Sequence, residues 1–201
     1  MPKTLLAATT NEGKLREIAE ILAPLGLDLR TPFEFPLVVE APEDTGTFEG
    51  NALRKARHWH AATGLAVLAD DSGLCVDALD GQPGVYSARY APSVAERNAK
   101  LLAALRDLPP ERRGAHFVCV AAFIDESGRA VTAEGRCEGR IHHEPRGSGG
   151  FGYDPLFWVD ECACTVAELP SDVKHTLSHR GRALQALRPA LERWVRGGDR
   201  P

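Results

Sequence analysis

Leu65-Ala66-Val67-Leu68-Ala69-Asp70-Asp71-Ser72-Gly73 joins a short apolar run to two adjacent carboxylates. Residues 65–68 read as a buried strand that ends at the acids, with Ser72-Gly73 supplying a hydroxyl and a permissive turn. Adjacent like charges are costly to hold unless a cation or hydrogen-bond donors offset them. In open α/β sheets, ligands bind beyond the carboxyl ends of strands. Acid pairs at such a place hold Mg²⁺ and orient water for attack on phosphorus. The plain alternative is an acidic turn capping the next element, because Asp-Ser-Gly is also ordinary turn chemistry.

The segments on either side of this stretch alternate between strand and helix. Residues 4–8 form a first strand, broken by Thr9-Thr10-Asn11, after which Leu15, Ile18, Ala19 and Leu22 recur at helical spacing up to Pro24 and Gly26. Residues 27–30 predict a second strand, and the proline- and acid-rich residues 31–46 a loop. A helix over residues 48–63 turns Ala52, Ala56 and Trp59 inward and stops at Gly64. Beyond the acid pair, Gly81-Gln82-Pro83-Gly84 marks a turn and residues 94–105 a helix. Residues 117–124 and 130–137 predict a β-hairpin around Asp125-Glu126-Ser127-Gly128. A glycine-rich loop at 147–152 precedes a strand at 156–159, and a last helix begins near Ser178 with Ala183, Leu184, Leu187 and Leu191 on one face. The pattern is α/β with an antiparallel hairpin, hence a mixed sheet. The 201 residues suit one domain without linker or repeat.

The balance of 24 basic against 28 acidic residues excludes a generally basic nucleic-acid-binding surface. Met1-Pro2-Lys3-Thr4-Leu5-Leu6 lacks the apolar core of a signal peptide, and no run approaches the ~18 apolar residues of a membrane span. A cytoplasmic location is the expectation, with no membrane partner. The cysteines (Cys75, Cys119, Cys137, Cys162, Cys164) are odd in number and scattered, which suits free thiols in a reducing compartment. Cys162-Ala163-Cys164 with His142 and His143 lacks the paired spacing of a structural zinc site.

Several islands carry residues suited to a nucleotide. Thr9-Thr10-Asn11-Glu12-Gly13-Lys14 lies at a strand-to-helix junction, where free N–H groups and the helix dipole favour an anion such as a triphosphate tail. A simple helix cap with a solvated lysine is the competing interpretation. Lys55, one turn after Asn51, adds positive charge. Glu40, Glu43 and Asp44 supply carboxylates that could complete a metal site with Asp71, or merely form a solvated acidic loop. Gly147-Ser148-Gly149-Gly150-Phe151-Gly152-Tyr153-Asp154 offers close backbone approach and aromatic faces for a base. Lys174 and Ser178-His179-Arg180 supply donors suited to O6 and N7 of a purine.

Taken together, these islands resemble one family, the inosine triphosphate pyrophosphatases (dITP/XTP pyrophosphatases). The resemblance runs nearly end to end. It passes through Thr-Thr-Asn-Glu-Gly-Lys (9–14), Thr-Phe-Glu-Gly-Asn-Ala (47–52) with Lys55, and Ala-Asp-Asp-Ser-Gly-Leu (69–74). It continues through Pro-Gly-Val-Tyr-Ser-Ala-Arg-Tyr (83–90), Gly-Gly-Phe-Gly-Tyr-Asp-Pro (149–155) and Ser-His-Arg-Gly (178–181). It implies an elongated α/β fold, a mixed sheet flanked by helices in two lobes with a central nucleotide cleft, and a homodimer. It also implies Mg²⁺-dependent cleavage of ITP, dITP and XTP at the α-phosphorus to the monophosphate and pyrophosphate. Carried over by position, Thr9, Thr10, Asn11, Glu12, Gly13, Lys14 and Lys55 take the triphosphate. Asp71 is the general base and a Mg²⁺ ligand, with Glu43 as the second ligand. Ser72 touches substrate, and Phe151, Gly152, Tyr153, Asp154, Lys174, His179 and Arg180 form the base pocket.

This chain departs from the family pattern in three places. Gly50 stands where relatives often carry an acid, and Thr10 where many have glycine. The acidic loop is one residue shorter than in many relatives, which leaves Asp44 as an alternative to Glu43. A related pyrophosphatase for modified or pyrimidine triphosphates, or a nucleotide-binding regulator without activity, remain the competing assignments.

Overall fold

The structure is a computed structural model, and it describes residues 2–197. Its strands are β1 (Thr4–Ala7), β2 (Asp28–Arg30), β3 (Ala66–Val76), β4 (Gly114–Ile124), β5 (Ala130–Ile141), β6 (Phe157–Val159) and β7 (Cys164–Thr165). The helices are α1 (Glu12–Leu22), α2 (Phe48–Thr63), α3 (Val94–Ala104), α4 (Ser171–Leu177) and α5 (His179–Val195). All seven strands form one sheet in the order β2-β1-β3-β4-β5-β6-β7. β1 runs parallel to β2 and β3, whereas β5–β6 and β6–β7 are antiparallel, so the sheet is mixed as the sequence predicts. β4 and β5 are neighbours joined at the expected turn, where the Asp125 carboxylate accepts from the Ser127 and Arg129 N–H groups.

The chain divides into two compact units. The first comprises Met1–Asp71, Cys119–Gly135 and Arg180–Pro201; the second comprises Ser72–Val118 and Arg136–His179. In the first unit the period-two alternation of strands sorts β1 and β3 residues into two cores. Leu5, Ala7, Ala66 and Leu68 pack with Ile18 and Leu22 of α1 and with Ala183, Leu184, Leu187 and Leu191 of α5. Leu6, Ala8, Val67 and Ala69 pack with Ala52, Ala56 and Trp59 of α2. Strands buried on both faces need near-continuous apolar sequence, which is why residues 65–69 do not alternate with polar ones. α2 keeps the predicted bounds, with Thr47 accepting from the Gly50 N–H at its start and a left-handed Gly64 at its end. The second unit has its own core, including Leu74, Leu101, Phe117, Ile141, Leu156 and Phe157.

One sequence expectation needs correction. The strand does not end at the acids: β3 continues through Asp70, Asp71, Ser72 and Gly73 to Val76. Its interior tolerates two carboxylates because each finds partners, and buried Leu74 and Val76 resume the apolar pattern beyond them. The last helix begins at His179, next to Ser178 as expected; the short α4 precedes it, and Ser178 between the two is extended at φ −68° and ψ 156°. Cys75, Cys119, Cys137, Cys162 and Cys164 are not joined in disulfides. Among the described residues, no helix is long and apolar enough to cross a membrane.

Candidate active site

Strand alternation separates the acid pair. Asp70 shares the parity of Ala66 and Leu68 and so faces α1 and α5; Asp71 shares that of Val67 and Ala69 and faces α2. The contacts follow. Asp70 Oδ2 lies 3.0 Å from Lys14 Nζ on α1 and 3.0 Å from Arg180 Nη2 on α5. It also accepts from the buried Cys119 thiol at 3.7 Å. Asp71 Oδ2 accepts from Asn51 Nδ2 of α2 at 2.8 Å.

The two carboxyls therefore hold protons very differently. Burial raises the proton affinity of Asp70, but Lys14, Arg180 and Lys55 outweigh it and hold the group far below the usual carboxylate range. Burial likewise raises that of Asp71. There the Asn51 hydrogen bond and Lys14 oppose the shift, Glu43 adds to it, and the net displacement is upward. Burial disfavours the charged Arg180, yet Asp70 and Glu17 overcome it and the guanidinium stays protonated. Adjacent acids whose environments drive their proton affinities apart mark a division of roles.

Asn51 is itself held, its Oδ1 accepting from Thr45 Oγ1 at 2.8 Å and Thr45 N at 3.1 Å. This arrangement accounts for Gly50. A Cβ there would lie 2.4 Å from Thr45 Oγ1, so Thr45 fills the space a larger residue needs. Lys55 Nζ donates to Asp70 O at 3.1 Å and pairs with Glu43 Oε1 at 2.5 Å. Burial lowers the Lys55 proton affinity, but Asp70, Glu43 and Asp71 reverse this and raise it.

Glu43 is the acidic-loop member that faces the cluster. Asp44 pairs with Arg54 and its side chain is 65% exposed, while Glu40 accepts from Thr10 Oγ1 at 2.7 Å. Asp71 and Glu43, close enough to raise proton affinity at Asp71, could hold a cation. Asp70 Oδ1 is buried with no hydrogen-bond partner among the described residues. No group of three or more His, Cys, Asp or Glu among the described residues could hold a metal by itself. That donor set fits an oxygen-loving ion that takes one or two carboxylates and completes its shell with phosphate and water.

At the start of α1, Asn11 caps the helix by accepting from Lys14 N at 3.0 Å, and Thr9 Oγ1 accepts from Asn11 N at 3.2 Å. Glu12 and Gly13 form the first turn, whose N–H groups are suited to an anion. Ser72 is half-buried and follows Asp71 in β3.

In the second unit the glycine-rich loop winds around Asp154, whose Oδ2 accepts from Phe151 N and from Lys174 Nζ, each at 2.8 Å. Lys174 Nζ sits 5.1 Å over the Phe151 ring. His179 stacks on Phe117 with ring centroids 4.7 Å apart. Asn98 of α3, which sequence inspection passes over, donates to Gly152 O at 3.2 Å. A Cβ on Gly150 would meet Asp154 Oδ2 at 2.1 Å, and its φ is +70°. Gly150→Ala is therefore expected to cost about 1–3 kcal/mol, as a lowered urea midpoint. An unchanged midpoint would show that the loop is not strained there.

Two of the expected base-pocket residues are engaged by other groups of the protein. The Tyr153 ring is 5% exposed and its hydroxyl donates to Ser87 O at 3.0 Å, with burial raising its pKa to about 12. It anchors the loop and leaves Phe151 as the loop's accessible aromatic face. Arg180 is 1% exposed and lies in the first unit, where Nη1 donates to Glu17 Oε2 at 2.5 Å and Nη2 to Asp70. Both of its terminal nitrogens are thus directed at buried carboxylates.

Residues 5–190 match the family model described as the Ham1 family. A dITP/XTP pyrophosphatase from Geobacter sulfurreducens is 53% identical over 190 residues, covering 93% of this chain and 96% of that protein. One from Desulforamulus reducens is 50% identical over 192 residues, covering 94% and 96%. The solved HAM1 protein of Coxiella burnetii is 43% identical, with a TM-score of 0.83 over 95% of this chain and 98% of that one. A nucleoside-triphosphatase or dITP/XTP pyrophosphatase from Mycobacterium abscessus is 46% identical, with a TM-score of 0.73 over 94% and 99%. The chain belongs to the Ham1 family.

Proposed function

We propose that this chain is a nucleoside triphosphate pyrophosphatase that converts ITP, dITP and XTP to the nucleoside monophosphate and pyrophosphate. The observation that carries this is Asp71: a buried carboxylate of raised proton affinity, flanked by Lys14, Lys55 and Glu43. Its partner set suits a general base on water. Asp71 takes a proton as the water oxygen bonds to the α-phosphorus. The bond from that phosphorus to the bridging oxygen then breaks, and its electron pair leaves with pyrophosphate. Thr9, Thr10, Asn11, Glu12, Gly13, Lys14 and Lys55 bind the triphosphate through N–H groups, hydroxyls and ammonium charge. Asp71 and Glu43 would hold Mg²⁺, which when bound supplies neutralisation of the phosphate charge.

Phe151 offers its ring to the base, and Ser72, Gly152 and His179 contribute contacts. Lys174, oriented by Asp154, is the donor suited to the 6-carbonyl of hypoxanthine or xanthine. Adenine presents an amino donor at that position and is disfavoured. Residues 1–201 act as one functional domain, in the cytoplasm and as a homodimer, by likeness to the family.

The test is product analysis with ITP, XTP, dITP, GTP, ATP and UTP, with and without Mg²⁺. Pyrophosphate and monophosphate from ITP and XTP in Mg²⁺ are expected. Orthophosphate release would mean an ordinary phosphohydrolase, preference for UTP a pyrimidine enzyme, and binding without turnover a regulator.

A further inference from the structure

We propose that Glu17 is a positioning residue for Lys14, acting through Arg180 and Asp70 to fix the ammonium that the function proposed above assigns to the triphosphate. Glu17 lies on α1 and is 6% exposed. Its Oε2 receives Arg180 Nη1 at 2.5 Å, Arg180 Nη2 reaches Asp70 Oδ2 at 3.0 Å, and the same oxygen lies 3.0 Å from Lys14 Nζ. The chain of groups alternates in sign and sums to zero. Side-chain exposure is 8% at Glu17, 1% at Arg180, 2% at Asp70 and 14% at Lys14. Lys14 is the most exposed end, the place where the network can meet a ligand. Three members are shielded from bulk solvent, so a change at one is felt by the next rather than screened.

The competition at Asp70 Oδ2 gives the direction of the effect. Arg180 and Lys14 share that oxygen. With Glu17 neutralised, Arg180 loses one of its two described ion pairs, draws Asp70 toward itself and loosens Lys14. An ammonium held by one carboxylate oxygen still has protons for phosphate, but only if its position is fixed.

The experiment uses the whole protein in Mg²⁺ with ITP, comparing Glu17→Gln, Lys14→Met and the double variant. Glu17→Gln is expected to lower kcat/KM about tenfold, and the double variant to be no worse than Lys14→Met alone, the signature of one shared pathway. Competitive inhibition by pyrophosphate should weaken by the same factor in Glu17→Gln while inhibition by inosine, which has no phosphate, stays as in the unmodified protein. A merely structural Glu17 would weaken both alike. Additive losses in the double variant, or unaltered pyrophosphate inhibition, overturn the proposal. Unimpaired ITP hydrolysis by Lys14→Met would instead remove Lys14 from triphosphate binding, a separate failure. Should Glu17→Gln not fold, Glu17→Asp keeps the charge balance but shortens the reach by one methylene. It is expected to weaken pyrophosphate selectively, and a folded Glu17→Asp with unchanged pyrophosphate affinity also counts against Glu17.

Discussion

Asp71→Asn is expected to lower ITP turnover by about 10²–10⁴-fold, the usual contribution of a positioned general base, while nucleotide binding survives. The replacement is nearly isosteric, and its amide oxygen can accept from Asn51 Nδ2 as Asp71 Oδ2 does at 2.8 Å. Stability should not fall. The folded-state proton affinity of Asp71 is raised above the ordinary value of 3.8, so its stabilising contribution belongs to low pH and is lost as pH rises through the folded value. At neutral pH the ionised carboxylate is therefore a burden that Asn lacks, and the variant is expected to melt no lower than the unmodified protein. The acid limb of kcat/KM should sit above the ordinary Asp range, because a base must be ionised to accept a proton. Near-normal turnover in Asp71→Asn would take Asp71 out of the mechanism, and a clearly lowered melting temperature would contradict the burden assigned to its charge.

Much of this was legible in the sequence where periodicity and capping act locally. α2 was readable to its ends because Thr47, the Ala52-Ala56-Trp59 face and Gly64 each declare a helical position. The acid pair was readable as a site but not as a place. Ser72-Gly73 resemble a turn, and nothing local says that Leu74 and Val76 will be buried beyond them. Once β3 is seen to continue, alternation alone assigns Asp70 to α1 and α5 and Asp71 to α2. Arg180 illustrates what spacing cannot carry: its partner Glu17 lies 163 residues away, and only α1 packing beside α5 brings them together. The one available hint was that Glu17 falls three residues after Lys14, on the same side of α1. Tyr153 shows a different limit. An aromatic in a glycine-rich loop advertises itself as a stacking surface, and only the Ser87 carbonyl shows that it anchors.

Arg180→Met should be far more damaging to the fold than to substrate choice. It removes the partner of two buried carboxylates, and breaking buried pairs of this kind costs about 3–5 kcal/mol because the remaining charges stay uncompensated. The pH dependence tests the cause. Asp70 has a depressed folded-state proton affinity, so its contribution is present above the ordinary value of 3.8 and fades as pH falls below it toward the folded value. Without Arg180, one of its two strongest counterions is gone and that contribution shrinks. The stability gap between the two proteins should thus be widest near neutral pH and narrow on acidification below the ordinary carboxylate value. Adding Glu17→Gln removes a stranded charge and is expected to recover part of the loss, which independent sites would not do. The ITP/ATP ratio of kcat/KM should change little in any folded variant, since both terminal guanidinium nitrogens point at Glu17 and Asp70. A variant that keeps its melting temperature but loses selectivity for ITP would return Arg180 to the base pocket and break the link between that side chain and the buried acids.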